Sequence, residues 1–143
     1  MILRIALFAL MAVAAVIGLF LMPKQQPPSA SLIQLIATPW EFDGRRVQII
    51  GFVRLEFEGD AIYLHRDDEA AGIQKNGLWL EVEGLSVQER RELDGRYVLV
   101  EGTFSMQDRG HFGLWSGAIR DITRMLPRGG PLPEPSIGRD LVR

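Results

Sequence analysis

The sequence predicts a mainly β protein: a five-stranded Greek-key barrel with one helix between strands 3 and 4, preceded by an N-terminal transmembrane helix. Five short segments alternate apolar and polar residues, as half-buried strands do, and a capped helical segment follows the third of them. An uncharged apolar run, long enough to cross a bilayer, lies at the N-terminus. A generic antiparallel sheet with one helix is the alternative.

The apolar run covers residues 5–22 and contains no charge, no Pro and no polar amide. At about 1.5 Å per residue, a helix of this length matches the hydrocarbon core of a bilayer. A cleaved signal peptide is the alternative, but its apolar region is shorter and small residues precede its cut site. This run instead ends in the bulky residues Leu19–Met22. We therefore expect residues 1–23 to be a retained signal anchor, with the lipid bilayer as the partner of residues 5–22.

The charges beside this run bear on orientation. Arg4 precedes the run and Lys24 follows it, so the positive-inside rule favours a cytoplasmic N-terminus only weakly. The very short N-terminal flank is typical of a signal anchor and favours the same orientation. We expect a single-pass protein of the inner (cytoplasmic) membrane with its domain on the periplasmic side. The sequence has no Cys, which excludes lipid attachment through that residue.

Composition divides the rest of the chain into three parts. Residues 24–30 are polar and contain Pro, as linkers do; residues 31–126 form the predicted barrel domain; Pro- and Gly-rich residues 127–143 are predicted to be a disordered tail. The domain contains 16 acidic residues and 11 Lys or Arg, a net charge of −5. Because nucleic-acid binding usually requires a basic surface, this charge disfavours nucleic acid as a partner.

The predicted elements of the domain are a helix over 32–38, strands over 45–58, 61–65 and 77–83, a short helix from Ser86, and strands over 96–104 and 114–122. Ser31 is a typical N-cap for the first helix, and Pro39 ends it. A turn at Gly59-Asp60 separates the first two strands. Alternation places Tyr63 of the second strand on the outer face.

The third strand alternates Leu78 and Leu80, expected inside, with Trp79 and Glu81, expected outside. The sequence Ser-Val-Gln-Glu that follows, at 86–89, has the form of a capping box and opens the inserted helix.

The first and fourth strands share a sequence pattern. Asp43-Gly44-Arg45 and Asp94-Gly95-Arg96 precede alternating apolar residues, and a Gly interrupts each strand, at Gly51 and Gly102. A barrel strand that bends from one sheet to the next needs such an interruption. We expect both glycines to lie in bulges, and Gly51 to have a positive φ.

Over residues 43–124 this pattern resembles the OB-fold superfamily. Segments 51–59 (Gly-Phe-Val-Arg-Leu-Glu-Phe-Glu-Gly) and 110–117 (Gly-His-Phe-Gly-Leu-Trp-Ser-Gly) are similar to those of small bacterial membrane-anchored proteins with this fold. The similarity to envelope haem chaperones of the same fold ends at the anchor and the barrel, because the C-terminal segment contains no matching haem-attachment His motif. The resemblance therefore implies no cofactor.

In OB folds, ligands lie across strands 2 and 3, between the first-second and fourth-fifth loops. The resemblance implies a ligand-binding face with these residues: Tyr63, His65, Arg66, Trp79, Glu81, His111 and Phe112. The aromatic rings there could stack on bases or sugars. The alternative is that Tyr63 and Trp79 form a cross-strand pair that stabilises the sheet by about 0.2–1 kcal/mol.

No motif in the sequence predicts catalysis or metal binding. His65 and His111 are the two histidines, and they lie far apart without a His-x-His or His-x-x-x-His spacing. No serine lies in a Gly-x-Ser-x-Gly motif. We therefore expect no enzyme, no metal and no cofactor, but a membrane-anchored, non-catalytic binding or scaffolding module of the cell envelope for an unidentified protein or small ligand. The alternative is a single-stranded nucleic-acid-binding protein that uses the same aromatic face.

Overall fold

The computed structural model describes residues 26–129, in which five strands close a β-barrel. The strands are β1 (Arg46–Arg54), β2 (Ala61–Tyr63), β3 (Gly77–Leu80), β4 (Arg96–Ser105) and β5 (Ala118–Arg128). The helices are α1 (Leu32–Ala37), α2 (Pro39–Phe42), α3 (Arg66–Ala70) and α4 (Val87–Leu93), with single 3₁₀ turns at Gln74–Asn76 and His111–Gly113.

The strands follow the order β1-β2-β3-β5-β4 around the barrel, and β4 pairs with β1 to close it. All pairs are antiparallel except β3–β5, whose parallel ladder contains only Trp79–Ala118 and Leu80–Ile119. Helix α4 lies between β3 and β4, as predicted, and the Ser86 hydroxyl accepts the Glu89 backbone N–H at 3.2 Å. The prediction of a mainly β, five-stranded barrel is confirmed, and the strand order is compatible with an OB-like fold.

One hydrophobic core fills the barrel. Inward-facing residues of all five strands are buried in it, among them Val47, Ile62, Leu78, Val100 and Ile119. Helix α1 adds Leu32 and Leu35 to the same core, so that it covers one end of the barrel. The alternation of apolar residues in the sequence therefore identified the inner face of β1, β3 and β4 correctly.

Several element boundaries differ from the prediction. Strand β1 ends at Arg54 because the Leu55 backbone N–H donates to the Asp94 carboxylate at 2.8 Å and not to a neighbouring strand. Phe57, expected in the apolar alternation of that strand, lies in the following turn and is 91% exposed. Residues 66–70, which lie between the predicted second and third strands, form α3.

Strand β5 begins at Ala118, four residues later than predicted, and continues to Arg128. Its register with β4 pairs Ser105 with Ala118 at one end and Tyr97 with Arg128 at the other. Residues 106–117 lie outside the barrel wall, so β5 begins only after them. It then pairs with β4 as far as Arg128 and therefore includes Pro127.

The polar segment before the domain contacts the barrel. The Ala30 backbone N–H donates to the Gln48 carbonyl oxygen at 2.9 Å, and the Gln48 N–H donates to the Pro28 carbonyl oxygen at 3.0 Å. No helix within residues 26–129 is long and apolar enough to span a membrane. The predicted span, residues 5–22, lies outside the described residues. Of the predicted tail, residues 127–143, Pro127 and Arg128 belong to β5, and the residues from 130 onward lie outside the described residues.

The two strand glycines have a different role from the one expected. Neither Gly51 nor Gly102 has a positive φ, so that part of the prediction is wrong for Gly51. A Cβ on Gly51 would lie 2.6 Å from the Tyr63 carbonyl oxygen and 2.6 Å from Ile62 Cγ1. Gly102 lies opposite a bulge in β5, where a Cβ would lie 2.5 Å from Ile119 Cγ2. Both glycines allow two strands to approach closely.

We expect Gly51→Ala to lower the free energy of unfolding by about 1–3 kcal/mol, because the added Cβ would push β1 away from β2. Thermal and urea unfolding of the purified full-length chain measure this. Gly59→Ala is the matched control, since Gly59 has no positive φ and the nearest atoms to its added Cβ all belong to the flexible Glu56 side chain. Equal stability of the two variants would contradict the role assigned to Gly51.

Candidate functional site

The outer face of β2 and β3 carries an aromatic cluster of Tyr63, Trp79 and Trp115 around Ala61. Trp115 comes from the β4–β5 loop, and its indole Nε1–H donates to the Tyr63 hydroxyl at 3.3 Å. The Trp79 and Trp115 rings meet edge to face with centroids 5.0 Å apart. Tyr63 is 6% exposed and Trp115 is 4% exposed. The face on which ligand stacking was predicted is therefore covered by the protein's own loop.

The β4–β5 loop, residues 106–117, is held over this face by contacts along its length. Lys75 Nζ donates to the Trp115 carbonyl oxygen at 3.3 Å. Gly110, with φ +63°, lies so close to the Trp79 ring that a Cβ would be 2.5 Å from Cδ2. Only a glycine satisfies both the positive φ and this close approach.

The structure places the predicted ligand-binding residues in four locations. Tyr63 and Trp79 belong to the covered cluster. His65 and Arg66 are exposed at the start of α3, where the His65 backbone N–H donates to the Asp68 carboxylate at 3.2 Å. Glu81 follows β3, where it lines a groove described below.

The fourth location is the tip of the β4–β5 loop, which contains His111 and Phe112. His111 Nε2 lies 3.4 Å from the Glu58 carboxylate of the β1–β2 turn, so this contact links the two loops. Phe112 is 85% exposed and has φ +55°, a strained conformation for a residue with a side chain. In the chain, the exposed Phe57 directly precedes Glu58 and Phe112 directly follows His111. Two exposed phenylalanines therefore flank this contact.

A groove with a volume of about 700 Å³ opens where β3 and β5 separate. The two strands remain paired as far as Leu80 and Ile119 and then diverge. Residues 81–85 and helix α4 form one side of the groove, and residues 121–127 of β5 form the other.

The groove combines an apolar floor with an acidic rim. Its apolar residues include Val82, Leu85, Leu93, Ile122 and Met125, which pack against the barrel core. Five carboxylates line it: Glu81, Glu83, Glu89, Glu92 and Asp121. Arg124 is the basic residue of the lining, and its Nη1 lies 3.0 Å from Glu101 Oε1. This pairing leaves a negative potential in the groove.

Helix capping keeps one of these carboxylates ionised. The Ser86 hydroxyl donates to Glu89 Oε2 at 2.7 Å, and the Ser86 backbone N–H donates to the same oxygen at 2.8 Å. These hydrogen bonds lower the pKa of the Glu89 carboxyl. The capping box therefore favours the ionised form of Glu89 over its protonated form.

Glu81 is the one groove carboxylate among the binding residues predicted from the sequence. The density of acidic residues over 81–92 was the available signal, since it contains Glu83, Glu89 and Glu92 as well. No sequence pattern predicted that Asp121 lines the groove, because its position depends on the bulge in β5.

Within residues 26–129, no group of three or more His, Cys, Asp or Glu side chains is placed to hold a metal ion. Ser116 Oγ donates to the Lys75 carbonyl oxygen at 2.7 Å. A scan of protein-family models finds no match to this chain, and a search of curated proteins finds none either.

Tyr63 provides a pH test of the aromatic cluster. Burial raises the pKa of the Tyr63 phenol, opposed by the Trp115 hydrogen bond and reinforced by Glu69 and Glu56. The unfolded chain therefore loses this proton first, and the free energy of unfolding should fall as pH rises above about 10. We expect Tyr63→Phe to reduce this fall, measured by urea unfolding of the full-length chain between about pH 9 and 12.

Trp115→Phe is the control for this measurement, because it removes the donor and keeps the phenol. It should retain the fall above pH 10 seen in the unmodified chain. Identical pH profiles for Tyr63→Phe and the unmodified chain would show that burial does not hold this phenol in its neutral form.

Proposed function

We propose that this protein is a non-catalytic binding or scaffolding module of the cell envelope, with an OB-type barrel held at the inner membrane. The strand order and the helix between β3 and β4 support the OB assignment. The apolar residues 5–22 support a transmembrane tether with the domain on the periplasmic side. The tether leaves the barrel free to meet partners at the membrane surface.

The acidic groove is the observation that supports this function best. Ligand sites are typically preformed concavities of about 300–1,000 Å³ with apolar walls and a few placed polar groups. The groove has a volume of about 700 Å³, an apolar floor and five carboxylates at its rim. One of its sides is β5, a strand of the closed barrel.

Single-stranded nucleic acid, the alternative ligand, gains no support from the aromatic face. Bases bind such proteins by stacking on exposed aromatic rings beside a positively charged channel. Tyr63 and Trp115 are buried against each other, and the nearby β1–β2 turn carries Glu56 and Glu58. We therefore place the binding site in the groove.

Photo-crosslinking in intact cells tests the location of the site. A benzophenone amino acid would replace Glu83 in the groove, His65 on the predicted face, or Ala37 on the exposed side of α1. We expect a discrete higher-mass adduct from position 83 and none from position 37. Adducts from position 65 alone would move the site to the β2–β3 face, and equal labelling at all three positions would contradict a specific module.

The tether predicts that the mature protein keeps its N-terminus. The intact mass of protein purified from membranes should include residues 1–23. Loss of about 20–30 residues would identify a cleaved signal peptide and contradict the tether. The control is the double substitution Leu19→Ala, Leu21→Ala, which introduces the small-x-small pattern of a cut site and should allow cleavage.

A further inference from the structure

We infer that the groove binds an extended peptide segment of a partner protein in which basic and apolar residues alternate. The inference rests on the proposed function, and it adds the chemical class of the partner. Three features of the groove lead to it: its charge, its floor and the backbone along one of its sides.

The charge of the groove selects a cationic partner. None of its carboxylates forms an ion pair with a Lys, Arg or His within residues 26–129. Arg124, which could neutralise them, is paired with Glu101. Unpaired carboxylates around a concave surface attract basic side chains and repel phosphates and acidic peptides.

The apolar floor selects a partner with apolar side chains beside its basic ones. Leu85, Ile122 and Met125 are only partly buried and lie within the lining. In an extended peptide, successive side chains point to opposite sides. Alternating residues would therefore direct apolar side chains to the floor and basic side chains to the rim.

The backbone along the groove selects an extended conformation. The Glu81 N–H donates to the Ile119 carbonyl oxygen at 3.0 Å, the last backbone hydrogen bond between this segment and β5. Val82 and Glu83 form no backbone–backbone hydrogen bond with any described residue. Unpaired backbone at a strand end can pair with an added strand, a common mode of peptide recognition.

Charge disfavours the two occupants that the chain itself could supply. Residues 130–143 carry Arg139 and Arg143, but Glu134 and Asp140 balance them. A second copy would bring another domain with a net charge of −5 to an acidic groove. A basic segment of a different protein fits the groove better than either.

Fluorescence anisotropy with defined peptides tests the inference on the full-length chain in detergent micelles. The probe is a labelled Lys-Val-Lys-Val-Lys-Val peptide, compared with Glu-Val-Glu-Val-Glu-Val, with the Lys peptide N-methylated at alternate residues, and with oligothymidylate. We expect binding of the first probe alone, and weaker binding as salt rises from about 50 to about 500 mM. Binding of the Glu peptide or oligothymidylate with similar affinity would overturn the inference, as would equal binding of the N-methylated peptide.

Matched variants locate the binding. The double substitution Glu83→Gln, Asp121→Asn should weaken binding of the Lys peptide about three- to tenfold, since each exposed ionic contact contributes modestly. The control Glu41→Gln, Asp67→Asn removes the same charge from exposed positions outside the groove and should bind normally. If both double substitutions weakened binding of the Lys peptide equally, the effect would depend on net charge alone. This result would overturn the inference.

Two further results separate the inference from its alternatives. A chain that ends at Gly129 should bind the Lys peptide with unchanged affinity, whereas much tighter binding would identify residues 130–143 as the natural occupant and overturn the inference. A photo-adduct at position 83 without binding of the Lys peptide would overturn the partner class and leave the proposed function standing. If neither the photo-adduct at position 83 nor binding of the Lys peptide were observed, the proposed function would be wrong as well.

Discussion

The short parallel pairing of β3 with β5 is the constraint on which the surfaces of this barrel depend. Two residue pairs, Trp79–Ala118 and Leu80–Ile119, close the barrel on this side, whereas β4 pairs with β5 over most of its length. A parallel partner cannot follow by a tight turn, and α4, β4 and the β4–β5 loop all lie between β3 and β5 in the chain. The β4–β5 loop, residues 106–117, lies over β2 and β3 and brings Trp115 onto Tyr63. Beyond the two pairs the strands separate, and the groove occupies the gap.

The sequence was sufficient to predict which residues lie inside the barrel. It was insufficient to predict which residues of the outer surface are buried. Alternation identified Leu78, Leu80, Val98 and Val100 as core residues because burial on one face imposes a period of two. The start of β5 was wrong because register depends on pairing with a distant strand, and local pattern carries no information about that pairing. Tyr63 was placed on the correct face, but its burial depends on a Trp more than fifty residues away.

The glycines illustrate the same limit. The shared pattern around Gly51 and Gly102 correctly marked positions where a side chain cannot be accommodated. The expected reason, a positive φ, was wrong for Gly51, because the constraint comes from the neighbouring strand. Sequence shows that a glycine interrupts a strand, but only the packed structure distinguishes backbone conformation from close approach.

The division of charges connects stability with binding. Arg54 lies near the carboxylates of Asp94, Glu56 and Glu69, and Arg90 of α4 pairs with Asp60 in the β1–β2 connection. These basic residues fix α4 and the β1–β2 turn to the barrel. Arg124 is likewise committed to the half-exposed pair with Glu101. These paired basic side chains stabilise the fold, whereas five of the domain's acidic residues line the groove without an ion pair among the described residues. A partner with basic side chains would reduce the repulsion among the groove carboxylates when it binds. The groove would therefore discriminate between partners by their charge.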